Sequence, residues 1–388
     1  MKSARIIIAA FYFSLIILLA SCSANRLGAS KKETSISSLS FLSEYILPLN
    51  QKFENTVVGG LSGIDYDIKR DQYYLISDDP SQLSPARIYT AKIDITNNKI
   101  DTIEIRGVIP ILQANGKVYP KLGTDKRVKP DGESVRYNPH TRQLLWSSEG
   151  ERLFRNGDTT IVQPALTYIN EKGAYLDTIS LPAGFHFTRQ EKGVRKNAFF
   201  EGLSYADDYK TLYASLEEPR YEDGKQAAFG YGQALTRILK FDTKTGKNTA
   251  QYAYNLGELP VKPTVDMDWN VNGISEILAV NSHTLLVMER AWAKGHDDHT
   301  FIKLYLVDLN GAENVMDNPS FVQTPPKPLS KKLLFDFDSL NKHIDNFEGV
   351  TFGPKLPNGN PSLIFCVDNN FGKNQVQQFF LFEVRQDM

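Results

Sequence analysis

Acids recur in this chain in one setting, at the end of a short apolar run. Asp78 follows Tyr-Leu-Ile-Ser, Glu149 follows Leu-Trp-Ser-Ser and Glu217 follows Tyr-Ala-Ser-Leu. Glu289 follows Leu-Leu-Val-Met, and Asp368 follows Ile-Phe-Cys-Val. Before each acid stands a glycine phrase: Gly59-Gly60-Leu61-Ser62, Asp131-Gly132-Glu133-Ser134, Glu201-Gly202-Leu203-Ser204, Asn272-Gly273-Ile274-Ser275 and Glu348-Gly349-Val350-Thr351. Three of the phrases open on an acid of their own: Asp131, Glu201 and Glu348; Gly59 and Asn272 hold that place in the others. Carboxylates brought together in numbers cannot all stay ionised without compensation. A divalent cation supplies it, and hard oxygen ligands suit Ca²⁺ or Mg²⁺. Basic side chains also supply it, and Arg195 and Arg290 stand close by in sequence.

What must position these acids is legible in the spacing. The glycines fall at 60, 132, 202, 273 and 349, a period of 70 to 76 residues. Self-similarity at a fixed period is the mark of a repeat architecture. Each phrase and each apolar run reads as a short strand, and two more strand-like runs follow. After Glu217 these are 235–242 and 249–256, split by the turn residues Thr243-Lys244-Thr245-Gly246-Lys247; after Asp78 they are 87–95 and 99–105. Four strands per repeat, repeated radially, predict an all-β fold, a β-propeller of five four-stranded blades. Six blades is the alternative, if residues 106–130 or 155–195 hold further strands. The last repeat lacks its fourth strand. The spare apolar run at 40–49 is expected to pair with 377–384 and close the ring.

In a propeller the innermost strand of each blade lines the central channel, and the end of the next strand lies at the same rim. Acids repeated at both places therefore converge on one axis. Glu133 and Glu276 fall inside innermost strands and point either into the channel or out of it. His296-Asp297-Asp298-His299 has the composition of a metal loop, or of a solvated one. The basic segment 189–196 is a candidate for meeting a phosphate. The sequence has no Gly-x-Ser-x-Gly elbow, no phosphate-cradling glycine loop after a strand and no Cys-x-x-Cys.

The chain has 388 residues and is 41% hydrophobic, enough for one large core or two domains. The repeats span nearly all of it, so residues 39–388 read as one domain. A net charge of −1 lacks the basic patch of a nucleic-acid binder. Of the two cysteines, Cys366 lies in an apolar run and reads as a small buried hydrophobe. Cys22 ends a segment with Lys2 and Arg5 at its start and an apolar stretch from Ile6 to Ala20, the pattern of a signal peptide over 1–22. Leu19-Ala20-Ser21-Cys22 resembles the lipobox of bacterial lipoproteins, in which the cysteine is lipidated and becomes the new N-terminus. Ser23 rather than Asp follows, which by the same resemblance points to the outer membrane of the cell envelope. Residues 23–38 are rich in Ser, Lys, Thr and Asn and read as a flexible tether.

Gly-Gly-Leu-Ser-Gly-Ile-Asp-Tyr-Asp from Gly59, Leu-Ile-Ser-Asp-Asp from Leu75, Asp131-Gly132-Glu133-Ser134, and Asn-Ala-Phe-Phe-Glu-Gly-Leu-Ser from Asn197 with Glu217-Glu218-Pro219 downstream resemble the phytase-like esterase domain of bacterial secreted proteins. The resemblance covers residues 57–385. It implies phosphoester cleavage through acids, by relation to propeller phytases that use Ca²⁺. Carried onto this chain, it marks Asp78, Asp79, Asp131, Glu133, Glu149, Glu201, Glu217 and Glu348. Joined to the recurrent acids, it gives a catalytic group of Glu133, Glu149, Glu201 and Glu217 with Arg195. It gives a metal group of Asp78, Asp79, Asp131, Glu289, Glu348 and Asp368. The expected ligands are Ca²⁺ and a phosphorylated small molecule, and the expected anchor is a lipid on Cys22. The propeller phytases have six blades, one more than the repeats count here. The alternative is a non-catalytic propeller that grips a ligand or partner at its channel mouth.

Overall fold

The computed structural model describes residues 35–155, 158–265, 270–296 and 299–386. Cys22, the leader and most of the tether lie outside them. Residues Ser35–Met388 form one compact unit. Within it each repeat folds as an antiparallel four-stranded sheet. Blade 1 runs Leu61–Asp67, Gln72–Ser77, Arg87–Thr96, Lys99–Pro110 from the axis outward; blade 3 runs Phe200–Ala206, Thr211–Leu216, Leu235–Asp242, Asn248–Asn255. Blade 4 runs Val271–Ala279, Thr284–Trp292, Phe301–Asp308, Ser330–Asp336.

Blade 2 explains one of the long inserts. Its inner pair is Gly132–Asn138 and Gln143–Ser148. A hairpin of Glu151–Arg155 and Asp158–Val162 then leaves the sheet before Ala165–Asn170 and Tyr175–Thr178 complete it. The strands hidden in 155–195 thus belong to the second blade, not to a sixth. In blade 5, Asn346–Phe352, Ser362–Asp368 and Gln377–Arg385 are joined by Ser38–Leu47, which pairs antiparallel with Gln377–Arg385. The ring is closed by the two ends of the chain, and the innermost strands touch in order, the fifth against the first.

The core is five slabs, one between each pair of adjacent blades. Blades 1 and 2 pack through Ile76, Ile88, Val135, Leu144 and Trp146; blades 2 and 3 through Leu145, Phe199, Phe200 and Leu203. Tyr213, Ile238, Ile274 and Val287 join blades 3 and 4, and Met288, Leu304, Phe347 and Phe365 join 4 and 5. Ile64, Leu75, Ile364, Phe379 and the buried thiol of Cys366 join 5 and 1. Burying each such side chain stabilises by about 1.5–3 kcal/mol, so no blade is stable without its neighbours.

The inner strands crowd where they meet. A Cβ on Gly202 would stand 2.7 Å from the Ile277 amide of the next blade, and one on Gly63 would stand 2.8 Å from the Glu133 carbonyl. Glycine recurs near the axis because backbone meets backbone there.

Candidate functional site

Every innermost strand carries a β-bulge near its start. The register against the second strand slips between Leu61 and Gly63, Gly132 and Val135, Phe200 and Gly202, Ile274 and Glu276, and Phe347 and Gly349. A bulge leaves one residue unpaired and re-aims it. Matched by these bulges, the equivalent residues are Ser62, Glu133, Glu201, Ser275 and Glu348. The equivalent residues of the second strand, one beyond the partners of Leu61, Gly132, Phe200, Ile274 and Phe347, are Asp78, Glu149, Glu217, Arg290 and Asp368.

This register corrects the one read from the glycines. Gly60, Gly132 and Gly273 are not the counterparts of Gly202 and Gly349; Gly63, Ser134 and Glu276 are. The blade 2 acid of the first ring is therefore Glu133, and the blade 4 residue of the second ring is Arg290 rather than Glu289. Glu289 turns the other way, accepting from the Tyr254 hydroxyl at 2.7 Å, the Gly257 amide at 3.0 Å and Lys331. Asp79 is likewise occupied away from the axis. It accepts the amides of Gln82 and Ser84 at 2.7 and 2.8 Å and pairs with Arg87 at 2.8 Å. Arg195 is not in the ring either. Its guanidinium donates to the carbonyls of Pro219 and Gly224 and stacks on Tyr221.

The remaining acids converge. Asp78, Glu133, Glu149, Glu201, Glu217, Glu218, Arg290 and Glu348 line one cavity of about 690 Å³ at the channel mouth. Asp78, Asp131 and Glu133 offer carboxylate oxygens all within 4.8 Å of one another, and so do Glu133, Glu149 and Glu201. Glu133 belongs to both groups. Asp368 lies against this cluster, fully buried, with one oxygen accepting the Asn370 amide and the other bare.

Compensation is unevenly distributed. Arg290 bonds Glu217 at 2.8 Å and Glu348, and Lys129 pairs with Asp131. Among the described residues Glu149 accepts only the Phe199 amide. Among the described residues nothing donates to the carboxylates of Asp78, Glu133 or Glu201, although Glu133 and Glu201 are 7% and 6% exposed. Burial first, and neighbouring acids second, push Asp78, Glu133 and Glu201 well above the usual carboxylate range. The same two causes push Glu149 up to about 8. Burial also raises Glu217 and Glu348, with Arg290 pulling both back. A cluster of carboxylate oxygens with so few donors fits a hard cation, and the absence of His and Cys from both groups favours Ca²⁺, Mg²⁺ or Mn²⁺ over Zn²⁺.

One layer deeper the channel is shut. Arg136 donates to the Ile64 carbonyl at 2.5 Å, Leu203 at 2.6 Å, Val135 at 3.1 Å, Ile277 at 3.3 Å and Val350 at 3.4 Å. These five residues hold the same position in the five inner strands. Glu276, the residue that stands where Gly202 does in blade 3, completes the set at 2.6 Å. The cavity therefore opens at one end only.

Sequence reasoning missed Arg136, Glu218, Asn370 and His343, all at or beneath this cavity. It also placed His299 in a loop of its own. His299 lines the cavity and pairs with Asp338 at 3.0 Å, while His296 reaches the Lys262 carbonyl. Asp297 and Asp298 lie outside the described residues.

The family model for phytase-like proteins, described as the esterase-like activity of phytase, matches residues 56–371. No curated protein matches the sequence. Among solved structures, an endo-arabinase from Bacteroides thetaiotaomicron VPI-5482 is 13% identical, with a TM-score of 0.45 over 90% of this chain and 98% of that one. An α-L-arabinofuranosidase from Lactobacillus brevis is 12% identical, with a TM-score of 0.49 over 88% and 94%. These likenesses say nothing about chemistry here.

Proposed function

This chain belongs to the phytase-like family and is a propeller of hydrolase type, and from that premise we propose that it cleaves phosphoesters at the acidic channel mouth with the help of a divalent cation. The observation that carries this reading is the pair of three-carboxylate groups sharing Glu133, at an open cavity, in which Asp78, Glu133 and Glu201 have no donor among the described residues. Glu133, Glu149 and Glu201 would hold the cation, with Asp78 and Asp131 flanking it. When bound, such an ion polarises a phosphoryl oxygen and lowers the pKa of a water. Arg290, fixed between Glu217 and Glu348, keeps a positive charge in the same wall and favours an anionic group there. Glu201 would also take the proton from the attacking water. Arg136 closes the floor, so a substrate enters and leaves by the mouth.

The substrate is a phosphorylated small molecule. The test is hydrolysis of phosphomonoesters and phosphodiesters by chelator-treated protein before and after Ca²⁺, Mg²⁺ or Mn²⁺ is restored. Glu201→Gln should lower kcat on the order of 100-fold while the fold survives. Cation binding without hydrolysis in the unaltered protein would leave a ligand-gripping propeller as the better account. The anchor belongs to the same proposal. Cys22 would carry lipid and hold the propeller at the outer membrane, and Cys22→Ser should release a folded, soluble protein on fractionation.

A further inference from the structure

The cavity has two chemically different walls. Asp78, Glu133, Glu149 and Glu201 come from blades 1 to 3. In a five-membered ring blade 5 stands across the axis from blades 2 and 3, which carry Glu133, Glu149 and Glu201, and its junction with blade 4 lies in that opposite wall. That junction carries His343, on the segment that leads into the innermost strand of blade 5, and it lines the same cavity.

His343 is presented rather than packed. Its side chain is 51% exposed, and its Nε2 stands 3.7 Å from Asp345 Oδ2. Asp345 is itself held still. Its carboxylate accepts the Asn346 amide at 3.0 Å, Gln375 Nε2 at 3.0 Å and the Val376 amide at 3.1 Å. The His343 carbonyl accepts from Gln378 Nε2 at 3.3 Å, and that amide also holds Glu44 of the closing strand. An imidazole with a fixed carboxylate behind it and open space in front is the arrangement of a proton donor.

We infer that His343 is the general acid of the proposed hydrolysis, with Asp345 as its positioning residue; the inference rests on the phosphoester reading above. Attacking and leaving oxygens lie roughly in line across phosphorus. The water is activated on the carboxylate side, so the leaving oxygen faces the opposite wall. As the water oxygen bonds to phosphorus, the bond from phosphorus to the leaving oxygen breaks. One proton passes from water to the Glu201 carboxylate, and one from the His343 imidazolium to the leaving oxygen, which departs as an alcohol. The open mouth lets both groups exchange protons with solvent and returns them to their starting states. The charged groups on elements around His343 are Asp345 on its own segment and Lys342 with Glu44 of the closing strand. Beyond them are the His299–Asp338 pair and Arg290 of blade 4, and Glu348 and Asp368 of blade 5.

The test compares two esters that differ in their need for a proton. p-Nitrophenyl phosphate releases a stable phenolate; glycerol 2-phosphate would release an alkoxide, which needs protonation. His343→Gln should lose on the order of 100-fold in kcat on glycerol 2-phosphate and about threefold or less on p-nitrophenyl phosphate. His343→Ala, with its melting temperature checked, should regain turnover of glycerol 2-phosphate when imidazole is added. Equal losses on both esters, or no rescue, would overturn the role of His343 alone. Unaltered protein that cleaves neither ester, while still binding Ca²⁺, would overturn the hydrolase reading and this role with it.

Discussion

At the level of Arg136 the five inner strands meet around a cation that they satisfy from every side. One bulge higher, at the level of Glu133 and Glu201, the same strands meet around carboxylates that they leave bare. The backbone is nearly the same at both levels, since the contributing residues are neighbours in each strand. What differs is which groups point at the axis. Below, five carbonyls and Glu276 surround one guanidinium, and the seal is structural. Above, bulges aim acids inward from three blades and supply Arg290 from only one. The lower level holds the ring together, and the upper level is strained in a way that only a ligand or protons relieve.

The largest effect should come from breaking the lower level. Arg136→Met would leave Glu276 and a ring of carbonyls buried without a donor. We expect a loss of about 3–5 kcal/mol in denaturant unfolding, against little change for an exposed arginine such as Arg127.

The upper level should show its strain in pH. Glu149 sits at about 8 in the folded cation-free protein, above its ordinary 4.5. A carboxyl raised by folding contributes its stability below the unfolded value and loses it as pH climbs to the folded one. The cation-free protein should therefore lose a few kcal/mol between about pH 4.5 and pH 8, with Glu133 and Glu201 acting in the same direction. Saturating Ca²⁺ should flatten that slope. Thermal melts across this range, with and without the ion, check both.

A smaller effect tests how tightly the inner strands meet. The Cβ of Gly202→Ala would stand 2.5 Å from Ser215 Oγ and 2.7 Å from the Ile277 amide. We expect about 1–3 kcal/mol of destabilisation in the same unfolding assay. The smallest effect concerns Glu289. Glu289→Gln disturbs a hydrogen-bonded site outside the ring and should cost about 1 kcal/mol, while Ca²⁺ affinity in calorimetry stays within about twofold of the unaltered protein. A loss of affinity matching that of a ring acid would restore the register read from the glycines.

The fold was legible because the repeat is long and its strands alternate plainly. The spare strand at 40–49 and its partner were readable from a simple deficit at the C-terminus, and the pairing of Ser38–Leu47 bears that out. The acids of the second strand were legible for four blades, as Asp78, Glu149, Glu217 and Asp368. Glu289 was misread because in blade 4 the acid comes one residue early: Glu289 pairs with Ile274 as Ser77 pairs with Leu61. With a side-chain period of two, that one residue exchanges Glu289 for Arg290 at the axis. The glycine alignment failed in blades 1, 2 and 4 because Gly60, Gly132 and Gly273 lie two or three residues ahead of Gly63, Ser134 and Glu276. Arg195 looked available because a basic loop gives no sign of the carbonyls of Pro219 and Gly224 that it serves. Arg136 was invisible because its partners come from all five blades and no local pattern announces them. His343 was passed over because a lone histidine in a polar segment looks like any other until the ring brings it to the cavity.

The central claim is that the upper level is built for a cation and that Glu133 is the carboxylate shared between its two groups. Calorimetric titration of Ca²⁺ into chelator-treated protein and into Glu133→Gln at pH 8 tests it most directly. The account predicts saturable binding by the unaltered protein, and for Glu133→Gln a loss of at least tenfold in affinity with an unfolding midpoint equal to or above that of the cation-free original. Absence of binding by the unaltered protein to Ca²⁺, and equally to Mg²⁺ and Mn²⁺, or unchanged affinity in Glu133→Gln, would contradict it.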